Sequence, residues 1–129
     1  MSKTIAHDLT NSYESWDTLL GKIQSNLCDL LLNTGGLAIG GTKAKVKLAN
    51  TVYAVINGAL VVKTTAETAP SGTVTNAKFN VYVLTLNAAG TITITMGTEG
   101  TSLATVVWPI VPANQAVLGF VIVNPTGAG

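Results

Sequence analysis

The sequence predicts a mainly β fold: an antiparallel β-sandwich or small barrel preceded by one N-terminal amphipathic, coiled-coil-like helix. Three observations predict it. Apolar residues recur at helical spacing as far as residue 30 and at a period of two after Gly36. The second part is cut into short runs by turn-forming residues, among them Asn57-Gly58, Ala69-Pro70-Ser71-Gly72 and Ala88-Ala89-Gly90. Charged residues make up only 10% of the chain, against roughly 25% in an average soluble domain. A surface so poor in charge is expected to be covered by other chains rather than wetted by lysine and carboxylate. Two units follow, an arm and heptad-patterned helix over 1–36 and an antiparallel β-domain over 37–129.

In the first unit the apolar steps alternate between four and three residues. Tyr13, Leu20 and Leu27 take the a positions of a heptad, and Leu9, Trp16, Ile23 and Leu30 the d positions. Asn11 with Glu14 three residues on forms a capping box, and Asn33-Thr34-Gly35-Gly36 supplies a glycine stop. The spacing therefore predicts a helix over about residues 12–33, on the order of 33 Å long. Leu19, Leu31 and Leu32 widen its stripe beyond a strict seam. Such a helix can pair with sister helices, lie on its own β-domain, or dock on a different protein, and self-association is favoured. Leucine at a beside isoleucine at d, as in Leu20 and Ile23, leans toward three or four strands.

The β-domain opens with Ala44, Val46 and Leu48 alternating with Lys43, Lys45 and Lys47, a strand with one apolar and one lysine face. It is expected to be a solvated edge strand, whose lysines discourage stray pairing; an acidic partner surface is the alternative. Residues 51–56 and 59–63 flank Asn57-Gly58 as a hairpin with a type I′ turn. Residues 78–87 form a long strand that is apolar on both faces, Val81 and Val83 on one and Tyr82, Leu84 and Leu86 on the other. Antiparallel strands usually wet one face, so this again suggests neighbouring subunits. After the turn at Gly90, Ile92, Ile94 and Met96 face the core and Thr91, Thr93 and Thr95 face away. Residues 105–112 are extended but not a central strand, because Pro109 and Pro112 lack the amide donor. Residues 117–123 close the sheet. Trp108, before Pro109, suits an interface anchor or a core aromatic equally.

Chemistry-bearing residues are few. The one histidine, His7, sits in the N-terminal arm, where a catalytic base lacks a rigid frame. Of the six acids, Asp8, Glu14, Asp17 and Asp29 belong to the helical region. Glu67 and Glu99 are the only carboxylates of the β-domain, and two solvated loop acids are a better account of them than a glycosidase pair. Cys28 alone allows neither an internal disulfide nor a cysteine-based zinc site, and no cation lies near enough to activate it. The run of glycines over 35–45 differs from a phosphate-binding loop in two ways. Thr42 precedes Lys43, and the segment leads from helix into strand. A net charge of +1 without a single arginine weighs against nucleic acid. The apolar run 116–123 is too short to span a bilayer, and the first twelve residues lack the apolar core of a signal peptide. No catalytic, cofactor-binding or metal-binding residue is expected, the chain is not expected to be an enzyme, and its expected place of synthesis is a cytoplasm.

Residues 51–123 carry an ordered set of small motifs. They are Tyr53 to Gly58 as Tyr-x-Val-x-x-Gly, the loop Ala69 to Gly72, and Tyr82 to Ile92 as Tyr-x-Leu-x-Leu-x-x-x-Gly-x-Ile. Then come Gly97-Thr98, Pro109 to Pro112 as Pro-x-x-Pro, and Gly119 to Val123 as Gly-x-Val-x-Val. In this order they resemble a repeated pattern of tailed-bacteriophage virion structural proteins: capsid decoration (cement) proteins, head fibres and tail-fibre β-sandwich modules. The resemblance implies a β-sandwich module, commonly trimeric, whose partners are sister subunits and the major capsid protein or another virion protein. It implies a place in the virion after synthesis in the host cytoplasm, with no nucleic-acid or membrane partner and no cofactor. The short chain suits a decoration or short head-fibre protein better than a complete tail fibre. A carbohydrate- or host-receptor-binding tail-fibre module is the alternative, with Tyr53, Tyr82 and Trp108 as its candidate aromatics. The resemblance carries over no catalytic residue. The candidate interface residues come from the heptad and from Trp108: Leu9, Tyr13, Trp16, Leu20, Ile23, Leu27, Leu30 and Trp108.

Overall fold

Residues 29–125 are described by the computed structural model of the chain. Leu9, Tyr13, Trp16, Leu20, Ile23, Leu27, His7 and Cys28, and with them residues 12–28 of the helix expected over about 12–33, lie outside the described residues.

Short antiparallel strands dominate. They are β1 Leu30–Leu31, β2 Leu37–Ile39, β3 Val46–Leu48, β4 Val52–Ile56, β5 Ala59–Lys63, β6 Glu67–Thr68, β7 Asn80–Asn87, β8 Ile92–Met96 and β9 Gln115–Val123. A single 3-10 turn, Leu103–Thr105, interrupts the crossing between β8 and β9. The strands form three sheets, ordered β1-β4-β5, β2-β3-β6 and β8-β7-β9, called here the first, second and third. The expectation of a mainly β, antiparallel domain therefore holds.

Local turn chemistry sets the hairpins. Asn57 (φ 51°) and Gly58 (φ 76°) both occupy the left-handed region, as a type I′ turn between β4 and β5 requires. Between β7 and β8 the Asn87 side-chain oxygen accepts the N–H groups of Ala89 at 3.0 Å and Thr91 at 2.9 Å. That closes the turn from inside. Between β2 and β3 the Gly40 N–H donates to the Lys45 carbonyl at 2.8 Å.

The core lies where the first and third sheets face each other. Val52, Ala54, Ile56 and Val61 from the first sheet meet Leu86 and Ala116 from the third, with Leu48 of β3 joining them. Leu31, Leu37, Ile92 and Leu118 pack around this cluster. A register shift between Leu84 and Thr85 bends β9 at Gly119, where a Cβ would stand 2.6 Å from the Leu37 side chain. This close approach, which only glycine allows, seats β2 against β9. β7 is the middle strand of its sheet and is buried from Asn80 to Leu86.

Two expectations are corrected. The helix was expected to run to Asn33, but Leu30 and Leu31 form β1 and pair with Val55 and Ala54. The cause is the open edge of β4, whose backbone groups need partners. Asn33, expected to stop a helix, instead clips that edge. Its Oδ1 accepts the Tyr53 N–H at 2.7 Å, and its Nδ2 donates to the Thr51 carbonyl at 2.8 Å. The lysine strand was expected at an edge, but β3 is the middle strand of the second sheet, between β2 and β6. Lys43 falls in the preceding turn. Lys47 stands opposite Glu67, and the Lys45 Nζ lies 3.8 Å from the Glu67 carboxylate. Cross-strand opposite charges thus replace the expected repulsive edge.

Candidate interaction surface

The two sheets that enclose the core each have an outer face, and side-chain alternation decides what it displays. In the first sheet Val52, Ala54, Ile56, Val61 and Leu31 point inward. The register then places Leu30, Tyr53, Val55, Leu60 and Val62 on the outer side. Leu32 extends this row, its N–H donating to the Tyr53 carbonyl at 2.8 Å. Leu60 is 64% exposed, Leu32 55%, Val62 50%, and Leu30 and Tyr53 44% each. None of these outward positions carries a charge. An antiparallel sheet facing water normally shows polar side chains there.

In the third sheet, Val81, Val83 and Thr85 of β7 share a face with Phe120, Ile122 and Val117 of β9. Thr93 and Thr95 of β8 continue it; the β7 side chains are buried, so the exposed apolar residues of this face are those of β9, Val117, Phe120 and Ile122. Trp108 meets Phe120 edge to face, ring centres 5.0 Å apart at 74°, an arrangement aromatic quadrupoles favour. Trp108 remains 52% exposed, and Ile110, two residues on, is almost wholly so. Trp108 is therefore no core aromatic. It packs on Phe120 at the rim of this face. Of the eight candidate interface residues, the structure describes only Leu30 and Trp108, and it places them on outer faces of different sheets.

The remaining candidates have structural employment. The Glu67 carboxylate accepts the Gly41 N–H at 2.7 Å, which ties down the glycine-rich turn. A carboxylate already at that amide opposes any phosphate, which fits the mismatch in sequence order. The Glu99 carboxylate accepts the Thr75 N–H at 2.6 Å. Hydrogen bonds from Thr75, with the Lys78 charge adding to them, hold the Glu99 carboxyl below the usual glutamate range. Each acid thus secures a different loop. Tyr82 is buried, and its hydroxyl donates to the Gly72 carbonyl at 3.4 Å. Burial and, secondarily, the Glu99 charge raise its phenol above the ordinary tyrosine value. It cannot serve as an exposed aromatic platform, whereas Tyr53 and Trp108 can.

Two open hollows flank the second sheet. One, of about 440 Å³, lies beside Lys47, Thr65 and Glu67; the other, of about 360 Å³, runs between Leu37, Ile39 and Phe120, with Lys43 and Lys45 among its lining residues. Among the described residues, no three of histidine, cysteine, aspartate and glutamate gather closely enough to hold a metal ion.

The outer face of the first sheet was missed by sequence reading, although a signal existed. Val-Tyr-Ala-Val-Ile and Ala-Leu-Val-Val are apolar at both parities, the same double-sided pattern that marked residues 81–86. No protein-family model, curated protein or solved structure matches this chain.

Proposed function

We propose that this chain is a structural protein of a tailed-bacteriophage virion, a capsid decoration (cement) or short head-fibre protein that self-associates as a trimer and binds the major capsid protein or another virion protein. The observation that carries this is the pair of apolar outer sheet faces on a chain with only 10% charged residues. The motif order over 51–123 and the heptad spacing from Leu9 to Leu27 support it further. Within this reading the first and third sheets are the layers of a β-sandwich, preceded by a coiled-coil helix.

The mechanism is burial. Each Å² of apolar surface withdrawn from water contributes roughly 25 cal/mol, less the cost of ordering the partners. Attachment at many equivalent sites multiplies modest contacts. The protein is expected to co-purify with intact particles at a fixed ratio to the major capsid protein, and to scatter light as a trimer at micromolar concentration. A strict monomer that is absent from particles would sink the proposal.

The half-exposed rings of Tyr53 and Trp108 favour a second reading, a carbohydrate- or host-receptor-binding tail-fibre module. A glycan array without a single hit would count against it.

A further inference from the structure

The third sheet ends in an open strand edge. In β7 the Val81 carbonyl accepts the Gly97 N–H, and the Asn87 N–H donates to the Thr91 carbonyl. The odd-numbered residues of β7 therefore turn their backbone groups to β8, and the even-numbered ones turn theirs to β9. Gly119, Val121 and Val123 stand opposite Leu84, Tyr82 and Asn80 and pair with those even-numbered groups. Between them, Phe120 and Ile122 point their N–H and C=O groups away from β7, on the side where β9 has no further neighbour. Among the described residues, no hydrogen bond reaches these four groups. Strand edges that stay single commonly carry lysine, proline or an inward charge. Residues 115–123 have none of the three, and the bend at Gly119 lies before this stretch.

The core is also left open beside this edge. Leu37, Ile39, Val46 and Leu48 share one face of the second sheet. Leu48 is buried in the core, yet Ile39 is 69% exposed. The hollow of about 360 Å³ lies there, with Leu37, Ile39 and Val46 on one side and Phe120 and Val121 on the other. Phe120 and Val121 point to opposite faces of the third sheet, so a hollow that touches both reaches β9 from its edge. Lys43 lines it without an ion pair among the described residues, and Lys45 lines it with only the Glu67 contact.

We propose that the edge at residues 120–122 takes up an extended peptide segment of a partner protein as one more strand, its alternate apolar side chains filling the hollow and an acidic residue meeting Lys43. The edge fixes the partner as a strand, since an extended chain offers N–H and C=O groups at the matching repeat. The hollow selects apolar residues at alternate positions, and the lysines select the charge. The proposal does not rest on the virion reading, because the edge and the hollow belong to the fold itself.

The test is a titration of the full chain with a capped peptide of three threonine–valine pairs ended by aspartate, read by amide hydrogen exchange. In the free protein the Phe120 and Ile122 amides are expected to exchange fast, and those of Gly119 and Val121 slowly. At saturating peptide all four should be slow. Ile122→Pro deletes one edge N–H and leaves the β7 ladder whole, because an edge strand tolerates proline. It should raise the peptide's dissociation constant about tenfold, the worth of one to two hydrogen bonds. The fully N-methylated peptide asks the same question of the wild type, and it should not bind. Lys43→Glu should reverse the preference between the aspartate peptide and its lysine counterpart. No binding, or binding without slower exchange at Phe120 and Ile122, overturns the proposal. Slow exchange of those two amides in the free protein overturns it as well. If it grows with protein concentration, a second copy holds the edge; if it does not, the chain's own terminal residues do.

Discussion

Glu99 shows how one side chain can look like chemistry and act as a fastener. Its carboxylate takes the Thr75 amide at 2.6 Å, and hydrogen bonds from Thr75, aided by Lys78, depress its pKa. A carboxyl whose folded value lies below its unfolded value stabilises the fold above the unfolded pKa. That contribution is lost as pH falls through the lowered folded value. Glu99→Gln should therefore melt below the wild type at neutral pH, and the gap in thermal midpoint should close as pH drops through and below the ordinary glutamate range. A gap independent of pH would mean that the carboxylate charge is not what holds the 72–75 loop. Glu67 does parallel work on the Gly41 turn. Both were expected to be solvated loop acids; Glu67 instead stands in β6, opposite Lys47, and the partners of the two carboxylates lie 26 and 24 residues away, so spacing could not reveal what they hold.

At the scale of single elements, β1 is the instructive case. Leu30 and Leu31 continue a heptad in sequence, yet they form a strand beside β4, with Asn33 clipping the next two backbone groups of that edge. Asn33→Ala removes both clips at once. At about 1 kcal/mol net per hydrogen bond, it should cost about 1–2 kcal/mol in urea unfolding. An unchanged midpoint would mean that β1 docks through its leucines alone. The β4–β5 and β7–β8 hairpins needed no such correction, because Asn57-Gly58 and Asn87 close them through contacts four residues apart or fewer. β3 was recognised as a strand with a lysine face, but its neighbours β2 and β6 were not foreseen. Three-residue and two-residue strands are too short to show a period of two.

For the molecule as a whole, the described residues close one core and leave apolar side chains half exposed on outer faces. The inner faces of the first and third sheets close one core, while Tyr53, Leu60 and Val62 on one outer face and Trp108 and Phe120 on another stay half exposed. If residues 9–27 form the seam between sister chains, Leu20→Asp or Ile23→Asp should dissociate the oligomer while circular dichroism still reports the sheets. Loss of the sheets together with the oligomer would instead show that this segment supports its own β-domain.

By itself the sequence determined the β class of residues 51–123, the two tight hairpins, and the inward row of Ile92, Ile94 and Met96. Each depends on side-chain alternation, turn residues or composition, which act within a few positions of the chain. Tertiary structure alone decided that Leu30 joins a sheet, that the lysine strand is central, and that the first sheet turns Tyr53, Leu60 and Val62 outward. Those outcomes depend on pairing with strands some twenty residues distant. Over two or three residues, helical and extended spacing look alike, and the partner that satisfies the backbone settles which one forms.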